Sequence, residues 1–152
     1  MLSIEEYKEL KKREGLDLSE SELQTPYASY VWREKHYKKK VSSLNELIGD
    51  LEKAKHQSHY SVVLNIQLNG VSYCSNFIKL NSIYYIESGD CLAISFNENE
   101  HIELSGKLKI TKTTGFDMDK PNLVEYDLNK GKSFGVGLLV YLDEEGELSE
   151  SA

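Results

Sequence analysis

The sequence predicts an α+β protein, in which an N-terminal helical arm with a long amphipathic helix precedes a compact antiparallel β domain. Three observations predict it. Serine-led capping patterns and three- and four-residue apolar spacing fill the first 59 residues, whereas apolar residues alternate with polar ones from residue 60 onward. Turn residues, including an Asn-Gly pair, punctuate that second part at short intervals. The expected division is a helical arm over 1–59, a β domain over 60–142 and an acidic tail over 143–152.

The arm opens with Ser3-Ile-Glu-Glu6, a capping box in which the serine hydroxyl accepts from a backbone N–H and the glutamate reaches back to the cap. Gly15 should end that helix. Ser19-Glu-Ser-Glu22 repeats the pattern, and Thr25-Pro26 reads as an N-cap followed by proline at the first helical position. From there Tyr30, Tyr37, Val41, Leu44, Ile48 and Leu51 fall at heptad spacing, interrupted by Glu34. This seam predicts one helix from Pro26 to about Lys55, roughly 45 Å long at ~1.5 Å per residue, suited to pairing with another helix or a second copy. Ser43-Leu-Asn-Glu46 is a third capping box, so the alternative is a split near Val41-Ser42.

The β domain begins with Tyr60 to Phe77, a strand, an Asn69-Gly70 type I′ turn and a second strand. A two-residue loop sets Leu68 opposite Val71, Ile66 opposite Tyr73, Leu64 opposite Ser75 and Val62 opposite Phe77. Asn65, Gln67, Ser72, Cys74 and Asn76 then line the other face. Further strands are expected at Ile83–Glu87, Cys91–Phe96, His101–Leu104, Lys107–Thr113, Leu123–Leu128 and Ser133–Leu142. Such a series makes a curled sheet, a small barrel or a sandwich.

The formal net charge is −7, but it is unevenly spread: −3 over residues 1–24, +3 over 25–59, −2 over 60–110 and −5 over 111–152. Positive charge gathers only in Tyr30-Val-Trp-Arg-Glu-Lys-His-Tyr-Lys-Lys-Lys40. On a helix, Lys35, Lys39 and Trp32 oppose the apolar seam, so Trp32, Arg33, Lys35, Lys38, Lys39 and Lys40 form the candidate partner-binding set. A protein partner anchored on Trp32 is one use of that face; a nucleic acid held by its cations is the alternative.

Motifs of chemistry are weak. Gly131-Lys-Ser-Phe-Gly135 has the letters of a nucleophile elbow but leads into a strand, and Tyr126 stands where a phosphate-binding loop needs glycine. His56, His59, Cys74 and Cys91 lack the paired spacing of a zinc site, and Pro121-Asn122 replaces the glycine turn that a calcium loop from Asp117 would need. No metal, cofactor or catalytic residue is therefore expected. Two isolated cysteines and the lack of any ~18-residue apolar run or leader pattern predict a soluble, cytoplasmic chain. Size, acidity and tyrosine content fit a small interaction module, of the kind with which a mobile genetic element inhibits a host enzyme.

Overall fold

The computed structural model describes residues 1–57, 61–87, 90–128 and 134–142. In these residues three helices and nine strands form two antiparallel sheets, an α+β arrangement that begins with a helix and leaves its sheets open. The helices are α1 (Ile4–Arg13), α2 (Glu20–His36) and α3 (Leu44–Lys55); the strands are β1 (Lys38–Val41), β2 (Val62–Leu68), β3 (Val71–Ile78), β4 (Leu80–Ile86), β5 (Cys91–Phe96), β6 (Glu100–Ser105), β7 (Ile110–Thr114), β8 (Leu123–Leu128) and β9 (Phe134–Tyr141). One sheet runs β1-β7-β8-β9-β2-β3 and the other β4-β5-β6. A single residue, Lys79, separates β3 from β4, so the chain turns directly from one sheet into the next.

Both N-terminal capping boxes form as their letters imply, with Ser3 and Ser19 each accepting from the glutamate N–H three residues on. At the far end of α1, Gly15 adopts φ +91°, Gly15 N–H donates to Lys12 and Leu16 N–H to Lys11, the double closure of a Schellman motif. Because α2 is capped by Ser19 and starts at Glu20, Pro26 lies inside it and Thr25 is no cap; this corrects the expected start. Leu23, Tyr27 and Tyr30, on one face of α2, pack toward α1, and the Tyr7 ring sits 5.4 Å from Tyr27 and 5.1 Å from Tyr30. The Tyr27 hydroxyl donates to the Leu2 carbonyl (2.9 Å), while Leu2 N–H donates to the Tyr30 hydroxyl (2.8 Å).

The single helix over 26–55 does not form. It is replaced by the last part of α2, the strand β1 and α3, with Ser43 capping α3 as the third box allowed. The seam is thereby dismantled. Tyr30 belongs to the α1–α2 contact, Tyr37 is the extended C-cap of α2, and Val41 is 81% exposed on β1. Only Leu44, Ile48 and Leu51 share one helix, and they pack on the sheets rather than on another helix. The physical reason is that a seam needs a partner, whereas the split lets Lys38–Val41 satisfy the backbone of β7 and buries Leu47, Leu51 and Ala54 of α3.

The core is one cluster joining α3 to both sheets: Leu47 and Leu51 meet Val62 and Leu64 of β2, Leu92 and Ile94 of β5, Tyr126 and Leu128 of β8, and Val136, Leu138 and Val140 of β9. The Asn69-Gly70 hairpin forms with positive φ at both residues, and the expected pairs Leu68–Val71 and Ile66–Tyr73 are present. Beyond Asn65 a bulge shifts the register, so Val63, not Val62, opposes Phe77, and Leu64 N–H donates to the Ser75 hydroxyl (2.9 Å). Phe77 consequently faces outward with Val63 and leaves the core to Val62 and Ile78.

The connection from α2 into β1 passes over Gly115, whose φ is +71° and where a Cβ would overlap the His36 carbonyl and lie 2.8 Å from Tyr37 N. Gly115→Ala is expected to lower stability by more than about 2 kcal/mol, from both the left-handed backbone and the overlap. Urea unfolding of the two proteins checks this; equal midpoints would contradict the close passage.

Candidate functional site

The six candidate partner-binding residues do not share a helical face. Trp32, Arg33 and Lys35 end α2, whereas Lys38, Lys39 and Lys40 lie on β1, with side chains pointing alternately to the two faces of the sheet. Trp32 is half-buried and stacks on His36, ring centroids 4.5 Å apart at 21° between planes, while His36 Nδ1 is 2.8 Å from the Trp32 carbonyl. One face of the tryptophan ring is thus occupied by His36. β1 is an edge of the six-stranded sheet, and a lysine run on an exposed edge strand discourages another strand from pairing there.

On the inner face, the pairings Lys40–Lys112 and Lys112–Tyr126 set these three residues in a row across β1, β7 and β8. Glu46 and Asp50, one turn apart on α3, lie over the row because a helical turn of ~5.4 Å nearly matches a strand spacing of ~4.8 Å. Lys112 Nζ is 3.0 Å from Glu46 Oε1 and 2.8 Å from Asp50 Oδ2, Lys40 Nζ is 3.0 Å from Glu46 Oε1, and the Tyr126 hydroxyl donates to Asp50 Oδ2 at 2.5 Å. Ser42 donates to Glu46 Oε2 at 3.1 Å. Hydrogen bonds from Lys112 and Lys40 hold the Glu46 carboxyl down at about 2. Burial, reinforced by the bond to Asp50, pushes the Tyr126 phenol up. Burial opposes the charge of Lys112, yet its bonds to Asp50 and Glu46 outweigh that and raise it. The network neutralises itself, with two carboxylates against two ammonium groups, and its chemistry is that of a clamp.

The outer face of the same sheet is open. Register aligns Val41, Thr111, Asp127, Gly137, Asn65 and Cys74 in one row across all six strands, flanked by the row Lys39, Thr113, Glu125, Leu139, Val63 and Phe77. Gly135 and Gly137 leave the middle of β9 without side chains, and a groove of about 230 Å³ opens there between β8 and β3, lined by Asn65, Gln67, Cys74, Asp127 and the two glycines among others. Sequence reasoning recognised Asn65, Gln67 and Cys74 as a polar face but missed the groove. A glycine pair inside a strand was the available signal, since glycine is disfavoured there unless something approaches closely.

The sheet's second edge, β3, differs from β1. Val71–Ile78 holds no charged residue and no proline, and Val71, Tyr73 and Phe77 are 51%, 59% and 47% exposed. Among the described residues no strand pairs with its outer side. Asp117 forms a local turn, accepting from Asp119 N–H at 3.0 Å, as its sequence suggested. His59, the segment Gly131-Lys-Ser133 and the tail 143–152 lie outside the described residues. Among the described residues no group of three His, Cys, Asp or Glu gathers for a metal ion, and no helix is long and apolar enough to cross a membrane. No protein-family model, curated protein or solved structure matches the chain.

Because the folded Glu46 carboxyl lies at about 2 against 4.5 unperturbed, its contribution to stability is fully present above pH 4.5 and is lost as pH falls toward 2. Glu46→Gln is expected to be less stable than the native protein at pH 7 and to converge with it as pH drops through that window. Urea midpoints of both proteins across the range check this; a constant difference would contradict it.

Proposed function

We propose that this chain is a protein-interaction module that takes an extended segment of a partner protein along the free edge of β3. The observation that carries the reading is the contrast between the two edges of one sheet: β1 bears Lys38, Lys39 and Lys40, while β3 holds no charged side chain and among the described residues pairs with no strand on its outer side. An added strand would gain main-chain hydrogen bonds from the backbone and specificity from alternate side chains such as Val71 and Tyr73. The bulge at Ser75 and Asn76 limits the straight portion to Val71–Cys74, so the partner segment is short. Blocking of a host enzyme by a protein from a mobile genetic element is the form of this reading that a net charge of −7 suits best. The chemistry proposed is binding, with no catalytic step.

A second reading rests on Arg33, Lys35, Lys38 and Lys39, all exposed around the α2–β1 junction, as a contact for nucleic-acid phosphates. Lys40 is drawn toward Glu46 and contributes less. The acidic remainder of the chain opposes this reading at long range.

Two double variants separate the readings. After nuclease treatment, a protein captured by the native chain is expected to be lost from Val71→Lys with Tyr73→Lys and retained by Lys38→Glu with Lys39→Glu, all three melting within a few degrees of one another. Loss only in the Lys→Glu pair, or only on nuclease treatment, would overturn strand addition in favour of nucleic acid. Exposed positions of this kind cost about 0.5 kcal/mol or less when changed, so the comparison is one of surface chemistry.

A further inference from the structure

We propose that two copies of this chain associate through β3, edge to edge about a two-fold axis at Tyr73. The dimer does not rest on capture of a partner segment, although the two would compete for one edge. The inner face of the six-stranded sheet is where the reasoning starts. Register sets Ile110, Leu128, Val136, Ile66 and Tyr73 in one row across β7, β8, β9, β2 and β3. Burial fades along that row: the first three are buried, Ile66 is half-buried and Tyr73 is 59% exposed. The neighbouring row at the hairpin end, Phe134, Leu68 and Val71, is exposed throughout. A core row that ends in an exposed tyrosine leaves apolar surface in water, which a continued sheet would bury.

The backbone selects the register. The Asn69-Gly70 turn closes on the pair Leu68–Val71, whose main-chain groups bond each other. Because such groups alternate in direction along a strand, the N–H and C=O of Ser72 and Cys74 point away from β2. An antiparallel strand that sets Tyr73 opposite Tyr73 of the second copy also sets Ser72 opposite Cys74 of the second copy, and the reverse. These are the pairs that exchange hydrogen bonds. Tyr73 then occupies a non-hydrogen-bonded position, where facing side chains come closest. The core row becomes continuous, with Val136, Ile66 and Tyr73 of one copy running into Tyr73, Ile66 and Val136 of the other.

Charge argues for a second copy as the occupant. A two-fold contact sets a surface against itself, so it needs residues that tolerate their own kind. The chain carries −7, yet β3 holds no charged residue, and self-pairing there sets no like charges opposite in any register. The same operation on β1 would set Lys38 and Lys40 against each other and Lys39 against itself. Every strand pair in both sheets is antiparallel, so the dimer continues a geometry the sheet already has. The bulge beyond Cys74 confines the contact to Val71–Ser75, which makes the dimer small and reversible.

The test is sedimentation velocity of the full chain under reducing conditions, at protein concentrations from about 10 μM to about 1 mM, where a small interface associates. The native chain is expected to pass from monomer to dimer within that range. Tyr73→Lys brings two ammonium groups together at the axis, and Cys74→Pro removes an N–H that points away from β2. Each is expected to raise the dissociation constant by at least about tenfold while melting within a few degrees of the native chain, and Lys39→Glu on β1 is expected to leave it unchanged. Register is read by cross-linking in a Cys74→Ser, Cys91→Ser background: Tyr73→Cys is expected to form a disulfide dimer on mild oxidation and Ser72→Cys is not, because only residue 73 faces itself. A native chain that stays monomeric throughout, a dimer that survives both β3 variants, or cross-linking at 72 in place of 73 would overturn the proposal. A monomer that still captures a protein through Val71 and Tyr73 would overturn self-pairing alone and leave strand addition standing.

Discussion

Asp50 reaches the underside of the sheet from α3, and its carboxylate meets Lys112 Nζ at 2.8 Å and the Tyr126 hydroxyl at 2.5 Å. Charge this far from water is stable only when paired, and pairing here needs three strands and a helix in one register. Glu46, one turn earlier, extends the arrangement to Lys40 and Ser42. The consequence reaches back along the chain. If Lys40 and Lys112 are to stand side by side under Glu46, residues 38–41 must be extended beside β7, and the helix that the local pattern favours must break. The clamp thus orders α3, sets β1 as an edge and makes Leu47, Leu51 and Ala54 part of the core.

This interaction also explains where sequence reasoning succeeded and where it failed. The strands β5 and β8 were legible to the residue, β8 because its burial alternates from Val124 onward and β5 because a short apolar run is bounded by turn residues, and the β2–β3 hairpin was legible because Asn69-Gly70 suits the positive φ values it adopts. Ser3 and Ser19 announced their helices through local bonds alone. The seam from Tyr30 to Leu51 was local in appearance only. Lys112 is 62 residues from Asp50 and Tyr126 is 76, so the groups that divide the predicted helix were invisible to any short window. The Ser43 box carried the right answer, in half: Glu46 N–H donates to Ser43, but the glutamate side chain turns to the lysines instead of back to the cap.

The outer surface follows from the same register. Once β1 and β7 are fixed, β8, β9, β2 and β3 carry their residues in rows, and the rows bring Asp127, Gly137, Asn65 and Cys74 together although they lie far apart in sequence. None of these residues was informative alone. The basic run, the most conspicuous feature of the sequence, proves to be divided between a helix end and the lysine-bearing edge strand β1, while the opposite edge strand, β3, carries no charge.

The most direct test of this account is the backbone of residues 37–43 in solution. Cα and Cβ secondary shifts, together with cross-strand contacts between Lys39 and Thr113, are expected to show extended structure over Lys38–Val41 flanked by helix on both sides. Uninterrupted helical shifts from Glu20 through Lys55, without contacts to β7, would contradict it.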